Sequence, residues 1–258
     1  MKKYLPIALA GLVGATMIAP SIAGAMTTSN VVYDSTPVKG TVSVPSVGPE
    51  AYAFNQVGNE VILRPHSNIG HVKVTMESWA CQSGSWQAGC TTTPGATFKT
   101  PITLRLYHYS TRDAATGEVK PVKRIMKVTK TFSIRYRPTS QSATEPRFLG
   151  KDGQLHNGIA QTITFPVNRN LASDVVWTVG YNTNTSGRTP LGHTSPTDSL
   201  NVGLSPAVRV GHDRFPDSII WDTRSAGFTG GAPFVTGELN LDRDAWAGYV
   251  PAARFTVR

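Results

Sequence analysis

One stretch of the sequence crowds together residue types that can do chemistry: Ser78-Trp79-Ala80-Cys81-Gln82-Ser83-Gly84-Ser85-Trp86-Gln87-Ala88-Gly89-Cys90. It holds both cysteines and two of the five tryptophans. Two cysteines admit one pairing. The spacing is neither C-x-x-C nor a zinc-ligand pattern, so Cys81 and Cys90 are expected to form a structural disulfide. Trp86 sits mid-loop between polar neighbours and offers a flat apolar face of the kind that stacks on the C–H face of a sugar ring. The alternative is a lid folded back on the end of a β-core. Trp79 shares parity with Lys73, Thr75 and Glu77 and is expected to point outward. Tyr107 and Tyr109 are further aromatic candidates for a ligand surface.

A second set of side chains is basic. Met126, Val128, Phe132, Ile134 and Tyr136 alternate with Lys127, Thr129, Thr131, Ser133, Arg135 and Arg137, the period of a half-buried strand. Lys127, Arg135 and Arg137 then form a stripe, extended by Lys120 and Lys123. It suits an anionic polymer, or a solvated sheet face that lysines guard against edge pairing. Lys130 interrupts the apolar face, which predicts a bulge or an open end there.

The acids offer less. Glu77, in a strand beside Trp79, is the most interesting single carboxyl, but nothing pairs it with the second one that a glycosidase needs across its cleft. Glu238, Asn240, Asp242 and Asp244 lie at even spacing and would share one face of a strand. Calcium takes six to eight oxygens, yet the EF-hand glycine and terminal Glu are missing, and a polar strand or turn accounts for the pattern as well. No other cofactor is expected. The histidines have no ligand spacing, and His212-Asp213-Arg214 reads as a salt-linked turn before a general base. The sequence contains no G-x-S-x-G elbow, H-E-x-x-H, P-loop or Rossmann glycine pattern.

These side chains must be carried by strands. Helical periodicity is nearly absent after residue 25. Runs rich in Val, Ile, Thr and aromatics recur at residues 31–33, 51–54, 60–63, 72–78, 102–109, 124–136, 159–165, 175–182, 199–204, 207–210, 218–221 and 253–257, between turn-forming clusters. The 24 Gly and 18 Pro supply those turns. The expected fold is all-β, a jelly-roll-like β-sandwich of about 10–12 short antiparallel strands. No linker divides it, so residues 26–258 are expected to form one domain. Residues 181–192 read as an Asn-rich loop.

The chain opens with Lys2 and Lys3, an apolar run and a small-x-small site at Ala23-Gly24-Ala25. Residues 1–25 read as a cleaved secretory signal peptide. The expected location is therefore secreted, extracellular or periplasmic, with no membrane span after processing. Without those residues, which carry two lysines and no acid, the formal charge falls from +9 to +7. Outside a cell, such a charge attracts anionic wall polymers or acidic polysaccharides. Specific nucleic-acid binding is not expected.

The order of several segments also carries a resemblance: Tyr33-Asp34-Ser35, "VTMESWA" at 74–80, "TFSIRYRP" at 131–138, "NGIAQTITF" at 157–165, "VVWTVGYNTNTSGRTPLG" at 175–192, "DSLNVGL" at 198–204 and "IIWDT" at 219–223. In this the chain resembles a group of uncharacterised secreted bacterial all-β proteins. The resemblance implies no activity, cofactor or catalytic residue. It does imply a second cysteine pair flanking residues 138–157, which this chain lacks. The leading expectation for function is a non-catalytic module that contacts extracellular polysaccharide or cell-wall material. A polysaccharide-active hydrolase or lyase, and a structural surface-matrix protein, are the alternatives.

Overall fold

Strong alternation of apolar and polar residues produces strands long enough to build two large antiparallel sheets. The computed structural model describes residues 30–49, 54–64, 67–109, 123–182, 196–214, 219–223, 239–242 and 248–258. In chain order the strands are β1 (Val31–Asp34), β2 (Ser46–Val47), β3 (Phe54–Ile62), β4 (Ser67–Ser78), β5 (Ser83–Ser85), β6 (Gly89–Thr91), β7 (Thr97–His108), β8 (Lys123–Arg135), β9 (Phe148–Leu149), β10 (Leu155–His156), β11 (Ile159–Leu171), β12 (Asp174–Gly180), β13 (Leu200–Ser205), β14 (His212–Asp213), β15 (Ile219–Thr223), β16 (Asn240–Asp242), β17 (Val250–Pro251) and β18 (Ala253–Val257). The expected count of 10–12 is therefore too low. Two-residue strands such as β9 and β14 carry no periodicity by which a sequence could announce them. Residues 207–210 are not a strand; only Val210 bridges, to Asp34. The signal-peptide reading at residues 1–25 lies outside the described residues.

The first sheet runs β1-β18-β4-β13-β17, with β11 on the other edge of β4 and β2 on β13. The second runs β16-β15-β3-β12-β7-β8, with β14 beside β3. All these pairings are antiparallel. Both sheets feed one buried cluster. Val72, Val74, Met76, Phe165 and Phe255 come from the first, and Val57, Leu104, Leu106, Trp177 and Val179 from the second. Each such side chain contributes about 1.5–3 kcal/mol when fully buried. On β7 the even residues Ile102, Leu104 and Leu106 face this core, while the odd residues face out.

One seam joins the edge strands β8 and β11. The Gln161 amide behaves like a short piece of strand, accepting from Arg135 N (3.1 Å) and donating to Ser133 O (2.8 Å). Arg135 Nη2 donates to Ala160 O at 2.5 Å. Lys130 belongs to this edge. It pairs in register with Ile102, and its ammonium reaches Thr164 O (3.4 Å) and lies 5.1 Å from the Phe132 ring centre. The bulge is elsewhere, at Ile125, where the β7–β8 register shifts between Leu106 and Tyr107.

A strap formed by residues 41–47 crosses the outer face of β4. Val42 O accepts from Ala160 N on β11 (2.8 Å), and Pro45 O from Leu204 N on β13 (2.7 Å). Among the described residues no helix is long and apolar enough to cross a membrane.

Candidate functional site

The stapled loop forms as expected. Cys81 and Cys90 are disulfide-bonded, and β5 and β6 make a small hairpin with Trp86 at its turn. This hairpin lies in the connection between β4 of the first sheet and β7 of the second. Trp86 does not stand free. Its ring meets the Trp79 ring edge-on, with centres 4.9 Å apart and planes at 74°. Both tryptophans are half-buried, and both indole N–H groups are buried without a partner among the described residues.

Arg137 explains why the loop folds back. Strand β8 ends at Arg135, so the alternation that would carry Arg137 outward stops, and its N–H turns to Ala80 O (2.9 Å). The side chain is fully buried rather than part of an outward stripe. Its guanidinium donates to Trp86 O (3.3 Å) and to Pro146 O, and lies 5.8 Å from the Phe148 ring centre. Burial pushes its pKa down to about 10. The loop at 138–156 is thus held by Arg137, where the resemblance implies a cysteine pair. Lys127 and Arg135 are exposed as expected.

Trp79 and Glu77 do lie on the outer face of β4, but that face is not solvated. Glu77 is fully buried under the strap. Ser43 Oγ donates to its Oε1 at 2.7 Å and Val44 N to its Oε2 at 3.4 Å. Burial pushes its pKa up to about 8, against the opposing pull of those two bonds and of the Arg135 charge. Gly158 makes room for both side chains. A Cβ there would fall 2.2 Å from Trp79 Cδ1 and 2.5 Å from Glu77 Oε1. Glu77 is a sealed structural acid.

The outer face of the second sheet is covered at its centre, where Glu60, Val176, Thr178 and Ile220 are fully buried, and becomes exposed towards β7 and β8. Tyr107 and Tyr109 are half-buried there, against a small apolar cluster of Val176, Ile220 and Leu239. The Tyr107 ring reaches across β12, its hydroxyl donating to Gln56 Oε1 at 2.9 Å. Thr178 Oγ1 donates to the same oxygen at 2.6 Å, and Gln56 Nε2 donates to Asp222 Oδ2 at 3.3 Å. Beside Tyr109, whose ring centre is 4.7 Å from the Arg214 guanidinium, Arg214 holds two carboxylates. Its Nε donates to Glu60 Oε1 at 2.8 Å and its Nη2 to Asp174 Oδ1. A salt-linked turn is expected within His212-Asp213-Arg214; the ion-pair partners of Arg214 come instead from β3 and β12. Burial pushes Glu60 up to about 7, and the Asp174 and Asp213 charges add to this against the pull of Arg214. Burial acts in the same direction on Asp174, yet the bonds from Arg214 and Ser173 outweigh it and hold its carboxyl below the usual range.

Sequence reading missed Gln56, Thr178, Glu60, Asp174 and Arg105 as members of this face. Their signal was outward parity on β3, β12 and β7, which becomes informative only once the order β3-β12-β7 is known. A separate open cleft of about 270 Å³ lies by His212, Asp213 and Tyr249. There Asp213 Oδ2 accepts from Asn59 Nδ2 at 2.6 Å.

Of the calcium candidates, Glu238 and Asp244 lie outside the described residues, and Asn240 and Asp242 lie in β16. Most of the Asn-rich loop is likewise outside them. Among the described residues no three His, Cys, Asp or Glu side chains are grouped to hold a metal ion. No protein-family profile, curated protein or solved structure matches this chain.

Proposed function

We propose that this chain is a secreted, non-catalytic module that binds extracellular polysaccharide or cell-wall material through the outer face of its second sheet. In this reading residues 1–25 are a signal peptide. Residues 26–258 form one domain, a β-sandwich of jelly-roll-like arrangement whose two sheets share the common core. The observation that carries the reading is the Tyr107 ring, laid across the sheet and pinned by Gln56. A ring held in that way offers an apolar platform for the C–H face of a pyranose. Gln56 beside it, half-buried and held by Thr178 and Asp222, supplies an amide for sugar hydroxyls.

The test is a pull-down on a panel of insoluble polysaccharides and cell walls, at low and high salt. Salt-resistant binding that falls at least tenfold in Tyr107→Ala, and less in Trp86→Ala, supports the reading. Loss with Trp86→Ala alone would move the site to the stapled loop, and retention by nothing on the panel would end the proposal.

A hydrolase is the second reading. It is favoured by one observation: Glu60 is pushed up while Asp174 is held low, the separation that acid and base roles require. Glu60→Gln would then abolish reducing-end release from a bound polysaccharide without weakening its capture.

A further inference from the structure

The tyrosine face continues into a pair of cations. Arg105 on β7 and Lys127 on β8 are directly opposite in register and both point outward. Like charges so placed repel, and among the described residues no carboxylate pairs with either of them. Strands β7 and β8 contain no Asp or Glu. On the neighbouring strands, Glu60 and Asp174 are taken by Arg214, and Asp222 accepts from Gln56.

Arg105 is also built in. It stands opposite Thr178 of β12, and its guanidinium lies over Gly180, where a Cβ would sit 2.8 Å from Nη1. That Nη1 is buried and has no hydrogen-bond partner among the described residues. A half-buried guanidinium facing an exposed lysine and flanked by the Thr103–Thr129 hydroxyl pair (2.8 Å) is a two-cation seat for an anion.

We infer that Arg105 and Lys127 form the subsite for the acidic substituent of an anionic pyranose polymer, a polyuronate, whose ring lies on Tyr107. This rests on the polysaccharide reading and narrows it. Arg105 and Tyr107 are two residues apart on one face of one strand, roughly 7 Å, near enough for the long Arg105 side chain to reach a substituent of a ring lying on Tyr107. A polyuronate meets both requirements at once, a ring to stack and a charge to bind. A polyphosphate meets only the second.

Isothermal titration of the purified protein decides this, with polygalacturonate, its methyl ester and polyphosphate as probes. The acid form is expected to bind about tenfold or more tighter than the ester, the scale of one charge-assisted hydrogen bond. Lys127→Gln and Arg105→Gln should each bring the acid form down to the level of the ester. Lys151→Gln, which removes an equal charge from an exposed turn elsewhere, should change nothing. Lys127 is exposed, so its substitution tests the subsite even if Arg105→Gln folds poorly. It should also leave the melting temperature of the free protein unchanged or slightly higher, because the repulsion is gone.

Equal binding of acid and ester, both lost in Tyr107→Ala, would overturn the anion subsite and leave the polysaccharide reading intact. Polyphosphate binding as tightly as polygalacturonate would overturn the pyranose assignment. No binding to any probe would overturn the subsite, while the insoluble-polysaccharide panel judges the wider reading by itself.

Discussion

Gly158 and Arg137 show how single residues hold the stapled end together. Gly158→Ala drives a methyl group into Trp79 and Glu77. Overpacking of this kind costs about 1–3 kcal/mol, so urea unfolding should shift to lower concentration with an unchanged slope. Arg137→Ala leaves the Trp86 carbonyl without its donor, leaves Pro146 O with only the Ser140 hydroxyl, and opens a gap beside Phe148. A loss of about 3 kcal/mol follows, and the near-ultraviolet signal of the Trp79–Trp86 pair should weaken with it. An unchanged tryptophan signal in Arg137→Ala would show that the loop does not depend on this side chain.

At the scale of elements, the strap over β4 is coupled to proton binding. The ordinary pKa of Glu77 is 4.5, and burial raises it to about 8. Between those values the folded chain keeps a proton that the unfolded chain has released. The stability this group contributes is therefore full below about pH 4.5 and is lost as pH rises through about 8. Melting temperature should fall from pH 5 to pH 9, and Glu77→Gln should flatten that slope and raise stability at the alkaline end. Glu60 adds a smaller loss of the same sign between pH 4.5 and about 7. A wild-type slope that Glu77→Gln leaves untouched would mean that the strap does not sense this carboxyl.

For the molecule as a whole, the disulfide and Asp34 set the conditions of stability. A short loop closed by Cys81–Cys90 is worth roughly 2.5–3 kcal/mol in the chain-entropy account. Reduction should lower the melting temperature by about 5–10 °C without unfolding a chain that has a two-sheet core. Asp34 is buried, which acts to raise its pKa. Bonds from Arg254 (2.8 Å), Thr36 and Arg209 (3.0 Å) outweigh burial and hold the carboxyl low. Its contribution is present above the ordinary carboxylate pKa and lost as pH falls through the lowered value, so Asp34→Asn should blunt acid unfolding below about pH 4.

The sequence by itself determined the all-β class, the disulfide, and which residues of β7 and β8 face in or out. Those follow from local periodicity and from having only two cysteines. Only the tertiary structure decided that Glu77 is sealed, that Arg137 is buried, and that Arg105, Tyr107, Gln56 and Arg214 share one face. Strand order brings residues 51 to 166 positions apart into contact, and an outward parity says nothing about what then covers that face. The strap is the clearest case: alternation places Glu77 on the outside of its sheet, and a twelve-residue strand cannot reveal that residues 41–47 will lie on top of it.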